Sequence, residues 1–163
     1  MLTDLVIVRH GSYDCNSHAR PLNERGKQQI ITLADKLKPT INKTYRWDVH
    51  LASSTALRAI QTAAILAENW GLESFETDRR IWTGGKLEDE QKAEMDELID
   101  SKKHNGCIAL CTHMGVGDNY PAYFLEKNYG RVKKIHGLDN GEAIKIHVES
   151  GDFEYFSGDG SEK

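Results

Sequence analysis

The sequence predicts an α/β fold: a three-layer sandwich with a mostly parallel central sheet, an antiparallel edge and helices on both faces. Three observations carry this. Short apolar runs such as Leu5-Val6-Ile7-Val8 and Ile108-Ala109-Leu110 read as strands buried on both sides. They alternate with amphipathic stretches of helical period, the pattern of parallel strands joined by helical crossovers. Toward the C-terminus the pattern changes to short strands punctuated by Asp139-Asn140-Gly141 and Ser150-Gly151-Asp152, which are hairpin turn signals.

Taken in order, a strand over residues 4–9 is followed by a polar loop over 12–22. A helix over 23–38 has Ile30, Leu33, Ala34 and Leu37 at i, i+3, i+4 and i+7, and Pro39 is expected to end it. Trp47, Val49 and Leu51 alternate as a second strand. The Ser53-Ser54 pair is expected to cap a helix over 55–70, with the stripe Leu57, Ile60, Ala64 and Ala67 and Gly71 as its stop. A short strand over 74–77 precedes an acidic helix over 88–102 that turns Met95, Leu98 and Ile99 inward. A buried strand over 107–112 leads to His113, then a helix over 116–127. Strands over 132–136, 143–148 and 153–156 close the chain.

At 163 residues with three prolines, the chain reads as a single domain over 1–156 and a disordered tail over 157–163. A net charge of −4 and a pI near 6.0 argue against nucleic acid as the partner, since phosphate-backbone binding needs a basic face. The one basic run, Arg131-Val132-Lys133-Lys134, is short and reads as solvated. No apolar run reaches the ~20 residues that span a bilayer, and Met1-Leu2-Thr3-Asp4 lacks the basic start of a signal peptide. Three cysteines, Cys15, Cys107 and Cys111, form no disulfide framework, so a cytoplasmic location is expected. Cys107, Cys111 and His113 share strand parity, but cysteines in an apolar strand read as core, so no metal is expected. No cofactor fingerprint is present, because Gly11 lacks companion glycines.

The chemistry concentrates at strand tips. The first strand ends in Arg9-His10-Gly11, delivering an anion-gripping guanidinium, a nucleophilic imidazole and a permissive turn to the carboxyl edge where open α/β sheets bind ligands. Right-handed crossovers are expected to bring Arg9, His10, Ser53 and His113 to that same edge. This combination points to phosphoryl chemistry.

Three segments, Arg9-His10-Gly11-Ser12-Tyr13-Asp14-Cys15-Asn16, Ser53-Ser54-Thr55-Ala56-Leu57-Arg58-Ala59-Ile60-Gln61-Thr62-Ala63 and Ala109-Leu110-Cys111-Thr112-His113-Met114-Gly115, together resemble the histidine phosphatase (phosphoglycerate mutase-like) superfamily. Pro21-Leu22-Asn23-Glu24-Arg25-Gly26 resembles the start of that family's first helix. The resemblance implies that His10 attacks phosphorus and carries the phosphoryl group, helped by Arg9, Arg58 and His113. It implies that Arg9, Arg58, His113 and the Asn16 amide bind the phosphoryl oxygens, with backbone donors near Met114 and Gly115. Gly11 would give the imidazole room to turn, and like charge from Arg9 and Arg58 would depress its pKa.

One departure has chemical content. Many phosphomonoesterases of the family carry a glutamate general acid at the position that aligns here with Thr83, and a threonine cannot protonate an alkoxide usefully. Glu88, Asp89 and Glu90, or Asp14, are the remaining candidates for a proton donor. An imidazole leaving group, with a conjugate acid of pKa ~6.5, needs far less protonation than an alcohol. The short members of the superfamily without this glutamate are phosphohistidine phosphatases. The expected partner is therefore a phosphorylated substrate, phosphohistidine in a protein or a small phosphomonoester, with phosphate or sulfate also bound. The alternatives are a small-molecule phosphomonoesterase with a differently placed acid, or a phosphate-binding module without turnover.

Overall fold

Strand β1 (Asp4–Arg9) is the pivot of the sheet, because it pairs in parallel with one neighbour and antiparallel with the other. The computed structural model describes residues 1–45, 48–130 and 135–159. After β1 come α1 (Glu24–Tyr45), β2 (Val49–Ser53), α2 (Leu57–Trp70), β3 (Glu76–Thr77), α3 (Asp89–Lys102), β4 (Cys107–Thr112), α4 (Met114–Tyr129), β5 (Glu142–His147) and β6 (Phe153–Ser157). The six strands lie in the order β3-β2-β4-β1-β5-β6, with β5 and β6 forming the antiparallel edge. This is the mostly parallel sandwich expected from the sequence.

Strand parity sorts the core into two halves. Val6, Val8, Cys107, Ala109 and Cys111 pack under α1 and α2 with Ile30, Leu33, Leu37, Leu66 and Trp70. Leu5, Ile7, Ile108 and Leu110 face α3 and α4 on the other side, meeting Met95, Leu98, Val116, Tyr120 and Phe124. Both faces of β1 and β4 are covered, which is why they read as unbroken apolar runs. The chain leaves β1 toward α1 on one face and leaves adjacent β4 toward α4 on the other. The crevice at this switch point lies at the carboxyl ends of β1 and β4. The joint between α3 and α4 is pinned by Asp96, which accepts bonds from the Tyr120 and Tyr123 hydroxyls and the Lys127 ammonium, each at 2.6 Å.

Several boundaries differ from expectation, each for a physical reason. Pro39 does not end α1, which runs on to Tyr45. Pro39 and Asp35 both lie on the exposed side of the helix, while buried Ile41 extends the Leu37 stripe by another turn. Helix α2 starts at Leu57 with Ala56 as its N-cap and no side-chain cap, so Ser53 and Ser54 do not cap it. Its inward face is Ala59, Thr62, Ala63, Leu66, Ala67 and Trp70, and Leu57 is 40% exposed. The face is rotated because Gln61 and Thr62 must reach the loops after β1. Gly71 does stop the helix in the left-handed conformation, at φ 72°. Helix α4 starts at Met114, earlier than expected, with extended His113 as its N-cap. Ile135 and His136 belong to no strand. The rest of the segment expected as a strand over 132–136, the basic run 131–134, Trp47 and residues 160–163 lie outside the described residues. Ordered pairing reaches past residue 156: Ser157 belongs to β6, and Gln29 Nε2 donates to Asp159 at 2.9 Å.

Two glycines let α1 dock against the loop that follows β1. A Cβ on Gly11 would lie 2.6 Å from the Gly26 carbonyl oxygen, and one on Gly26 would lie 1.9 Å from that of Ser12. Gly11 is therefore required by the close approach of two backbones, and its φ is not positive. Because backbone, not a flexible side chain, fills that space, we expect Gly26→Ala to lose about 1–3 kcal/mol of stability. Urea unfolding checks this through a lower midpoint at unchanged slope.

Candidate active site

The parallel register brings three strand ends to one edge. The His10 amide donates to the Thr112 carbonyl and the Ser54 amide to that of Cys111, both at 3.1 Å, so the residues leaving β1, β2 and β4 begin level. His10 and His113 are each 3% exposed, and their rings lie 5.1 Å apart at 61°.

Arg58, in the first turn of α2, joins them. Its Nε–H donates to His10 Nε2 at 3.2 Å, and its Nη2–H donates to His113 Nδ1 at 3.3 Å. A guanidinium has donors only, so both imidazole nitrogens must accept. The ring protons then sit on the far nitrogens: His10 Nδ1–H donates to the Gly11 carbonyl at 2.8 Å, and His113 Nε2–H donates to Ser54 Oγ at 2.6 Å. The His10 pKa is lowered to about 4, by burial first and then by Arg58 and Arg9, against a hydrogen bond to Gly11 that works the other way. That of His113 is lowered to about 3 by burial, His10, Arg58 and Arg9. The direction agrees with expectation, but burial outweighs the like charges.

The supporting residues explain the pattern after Arg58. Thr62 Oγ1 donates to the Arg58 carbonyl one turn back at 2.8 Å and accepts the Gly11 amide at 3.4 Å. Gln61 Oε1 accepts the Leu22 amide, and Gln29 Oε1 the Ser12 amide, both at 2.8 Å. Asn23 Oδ1 accepts the Gly26 amide at 2.8 Å and caps α1. Arg9 donates through Nη1 to the Leu138 carbonyl at 2.8 Å, and its buried Nε has no hydrogen-bond partner among the described residues. His113 is the N-cap of α4, whose first amides have no partner within the helix and no side-chain cap.

The structure thus brings together Arg9, His10, Arg58 and His113, with Met114 half exposed at the start of α4. Asn16 is exposed, and its backbone N–H donates to Asp14 Oδ1 at 3.0 Å. Asp14 and Asn16 line a recess of about 460 Å³ with Tyr13, Pro21 and Leu22. Glu88 is engaged as N-cap of α3, in a reciprocal box with Gln91, and pairs with Lys86 at 3.3 Å. Thr83 is exposed. Cys107 and Cys111 are core thiols whose pKa values burial pushes up, that of Cys107 to about 12.

Two residues of the site escaped sequence reasoning. Ser54 was expected to cap a helix and instead holds His113; its place at a strand tip beside Ser53 was the available signal. Tyr13 packs its ring edge-on to His10 at 5.3 Å and under the Arg58 guanidinium at 5.0 Å, and nothing in its spacing marked it.

Residues 5–99 match the family model of the histidine phosphatase superfamily (branch 1). No curated protein matches the chain by sequence. Among solved structures, a mycobacterial glucosyl-3-phosphoglycerate phosphatase is 18% identical with a TM-score of 0.67, covering 95% of this chain and 97% of its own. The Agrobacterium tumefaciens protein assigned as the phosphohistidine phosphatase SixA is 17% identical with a TM-score of 0.69, covering 94% and 97%. The protein histidine phosphatase SixA complexed with tungstate is 19% identical with a TM-score of 0.63, covering 94% of each chain. Likeness at these identities establishes the fold.

Burial of two neutral imidazoles has a pH signature. The folded-state pKa of His10 lies near 4, below the ordinary 6.5, so as pH falls the unfolded chain takes up protons first. His10 leaves stability unchanged above pH 6.5 and removes it as pH falls from there through about 4. We expect urea unfolding in anion-free buffer to lose stability over this window, with a shallower slope in His10→Asn. We further expect Ser54→Ala to cost about 1–3 kcal/mol, because it leaves the His113 Nε2–H unpaired in the interior.

Proposed function

The chain belongs to the histidine phosphatase superfamily (branch 1), and from that premise we propose that it is a phosphatase working through a phosphohistidine on His10, with phosphohistidine in proteins as its substrate. The observation that carries this is the Arg58 guanidinium donating to two buried, neutral imidazoles at once. His10 Nε2 holds a lone pair rather than a proton at neutral pH, as a nucleophile must. Its opposite nitrogen is tied to Gly11, which fixes the ring's aim.

In the first step His10 Nε2 attacks phosphorus in line, forming the P–N bond while the bond to the leaving group breaks. Arg58 exchanges its imidazole acceptors for phosphoryl oxygens, and Arg9 and the α4 amides stabilise the charge that builds there. In the second step water attacks phosphorus, the P–N bond breaks, and phosphate leaves with His10 restored. A nitrogen leaving group makes the missing carboxylic acid tolerable. The carboxylate of Glu88 is already committed to capping α3.

A second reading, a small-molecule phosphomonoesterase, is favoured by the structural likeness to the glucosyl-3-phosphoglycerate phosphatase. It requires a proton donor, for which Asp14 and Glu88 are the candidates. The free thiols of Cys15, Cys107 and Cys111 fit a reducing cytoplasm, and no described helix is long and apolar enough to cross a membrane. Among the described residues, one sheet links both halves of the core, which supports a single domain.

Rapid-quench trapping with labelled phosphohistidine substrate is expected to yield acid-labile phosphate on the wild type and none on His10→Ala. In a panel that adds sugar phosphates and an aryl phosphate, phosphohistidine should turn over fastest; faster hydrolysis of alkyl phosphates would select the second reading. Arg58→Ala should weaken phosphate binding by about 2–5 kcal/mol, as expected on removing half of a desolvated charge pair. Inhibition by inorganic phosphate measures this.

A further inference from the structure

We propose that Tyr13 is a positioning residue whose ring holds the Arg58 guanidinium in the orientation that meets both imidazoles and covers the His10 ring against water. This rests on reading His10 and Arg58 as the reacting pair. Tyr13 touches both partners: the Arg58 Cζ lies 5.0 Å over its ring centre, and the His10 ring meets it edge-on at 5.3 Å and 78°. The face of an aromatic ring attracts a cation, and its edge-on contact with imidazole is a favoured aromatic geometry.

Arg58 needs such a restraint. It enters from the first turn of α2 on a long stem with several free torsions, and among the described residues no carboxylate lies within ion-pair distance of it. The charge of Arg20 repels it. An ion pair with a carboxylate would hold the guanidinium equally well but would compete with an incoming phosphoryl group. A neutral π face restrains the cation while leaving its N–H edge free to donate.

Tyr13 is itself held in place. The loop folds back as a narrow hairpin: the Asp14 amide donates to the Pro21 carbonyl at 2.8 Å, the Asn23 amide to that of Ser12 at 3.1 Å, and Tyr13 bridges Leu22. Leu22 in turn donates to Gln61, one turn along α2 from Arg58. The ring and the guanidinium it restrains are thus fixed to the same helix. The charged and titratable groups around His10 are Arg9 on β1, Arg58 on α2, His113 at the start of α4 and Tyr13 on the loop.

The test compares Tyr13→Phe, which keeps the ring, with Tyr13→Leu, which removes the π face. Two readouts are independent of turnover: the dissociation constant for inorganic phosphate and the His10 imidazole titration followed by NMR. Tyr13→Leu is expected to weaken phosphate binding by about threefold to thirtyfold, the range of a partly desolvated cation–π contact. It should also move the His10 titration up from about 4 toward 6.5 as water reaches the ring. Tyr13→Phe should stay within about twofold of wild type in both. If Tyr13→Leu does not fold, Tyr13→Met carries the same expectation, as a flexible chain of similar reach without a π face. Wild-type binding and titration in the leucine variant overturn the proposal, as does a phenylalanine variant as impaired as the leucine one. Neither result touches the trapping of phosphate on His10, so failure here and failure of the phosphatase reading remain distinct.

Discussion

Arg58 donates from one guanidinium to two imidazoles, and the rest of the site is arranged around that fact. A cation that can only donate fixes its partners as acceptors. Their protons must then find acceptors elsewhere, which is what the Gly11 carbonyl and the Ser54 hydroxyl provide. Burial adds to the effect, because an imidazolium in this position would be both desolvated and beside two arginines. The result is a pair of uncharged rings whose accepting nitrogens both face one guanidinium.

The fold holds these groups by backbone contacts, not by loops free to adjust. Arg9 and His10 end a strand covered on both faces, and His113 follows another paired with it in register. Arg58 is placed by the start of a helix, and Thr62 ties that helix to Gly11. The approach of Gly11, Ser12 and Gly26 leaves no room for a side chain, so α1 and the loop after β1 are packed backbone against backbone. On the opposite face, Gly115 plays the matching part: a Cβ there would lie 2.1 Å from the Gly85 carbonyl oxygen, so the segment before α3 closes against the start of α4.

The same arrangement bears on the leaving group. Donors and cations surround His10, and the two candidate acids are engaged otherwise, Glu88 in a helix cap and Asp14 with the backbone amide of Asn16. Under the proposed reading this suits a departing imidazole, whose conjugate acid has a pKa of ~6.5 and which needs far less protonation than an alkoxide.

Much of this was legible in the residues. Parallel strands buried on both faces announce themselves as unbroken apolar runs, and the polar residue that ends such a run must lie at the sheet's edge; His10 and His113 were readable for that reason. The stripes of α1 and α3 were readable because their buried faces follow the helical period, and Gly71 because a left-handed cap favours glycine. Sequence spacing could not tell which face α2 turns inward, since alanines populate both sides, and contacts across the chain decide it through Gln61 and Thr62. Nor could it show that α1 survives Pro39, because that depends on tertiary burial such as that of Ile41, which offsets the lost hydrogen bond. Ser54 and Tyr13 acquired their partners only in three dimensions. The sequence by itself determined the chemical types and the strand tips that carry them, because both are local properties; the tertiary structure alone decided which nitrogen holds each proton, because that depends on donors and acceptors far apart along the chain.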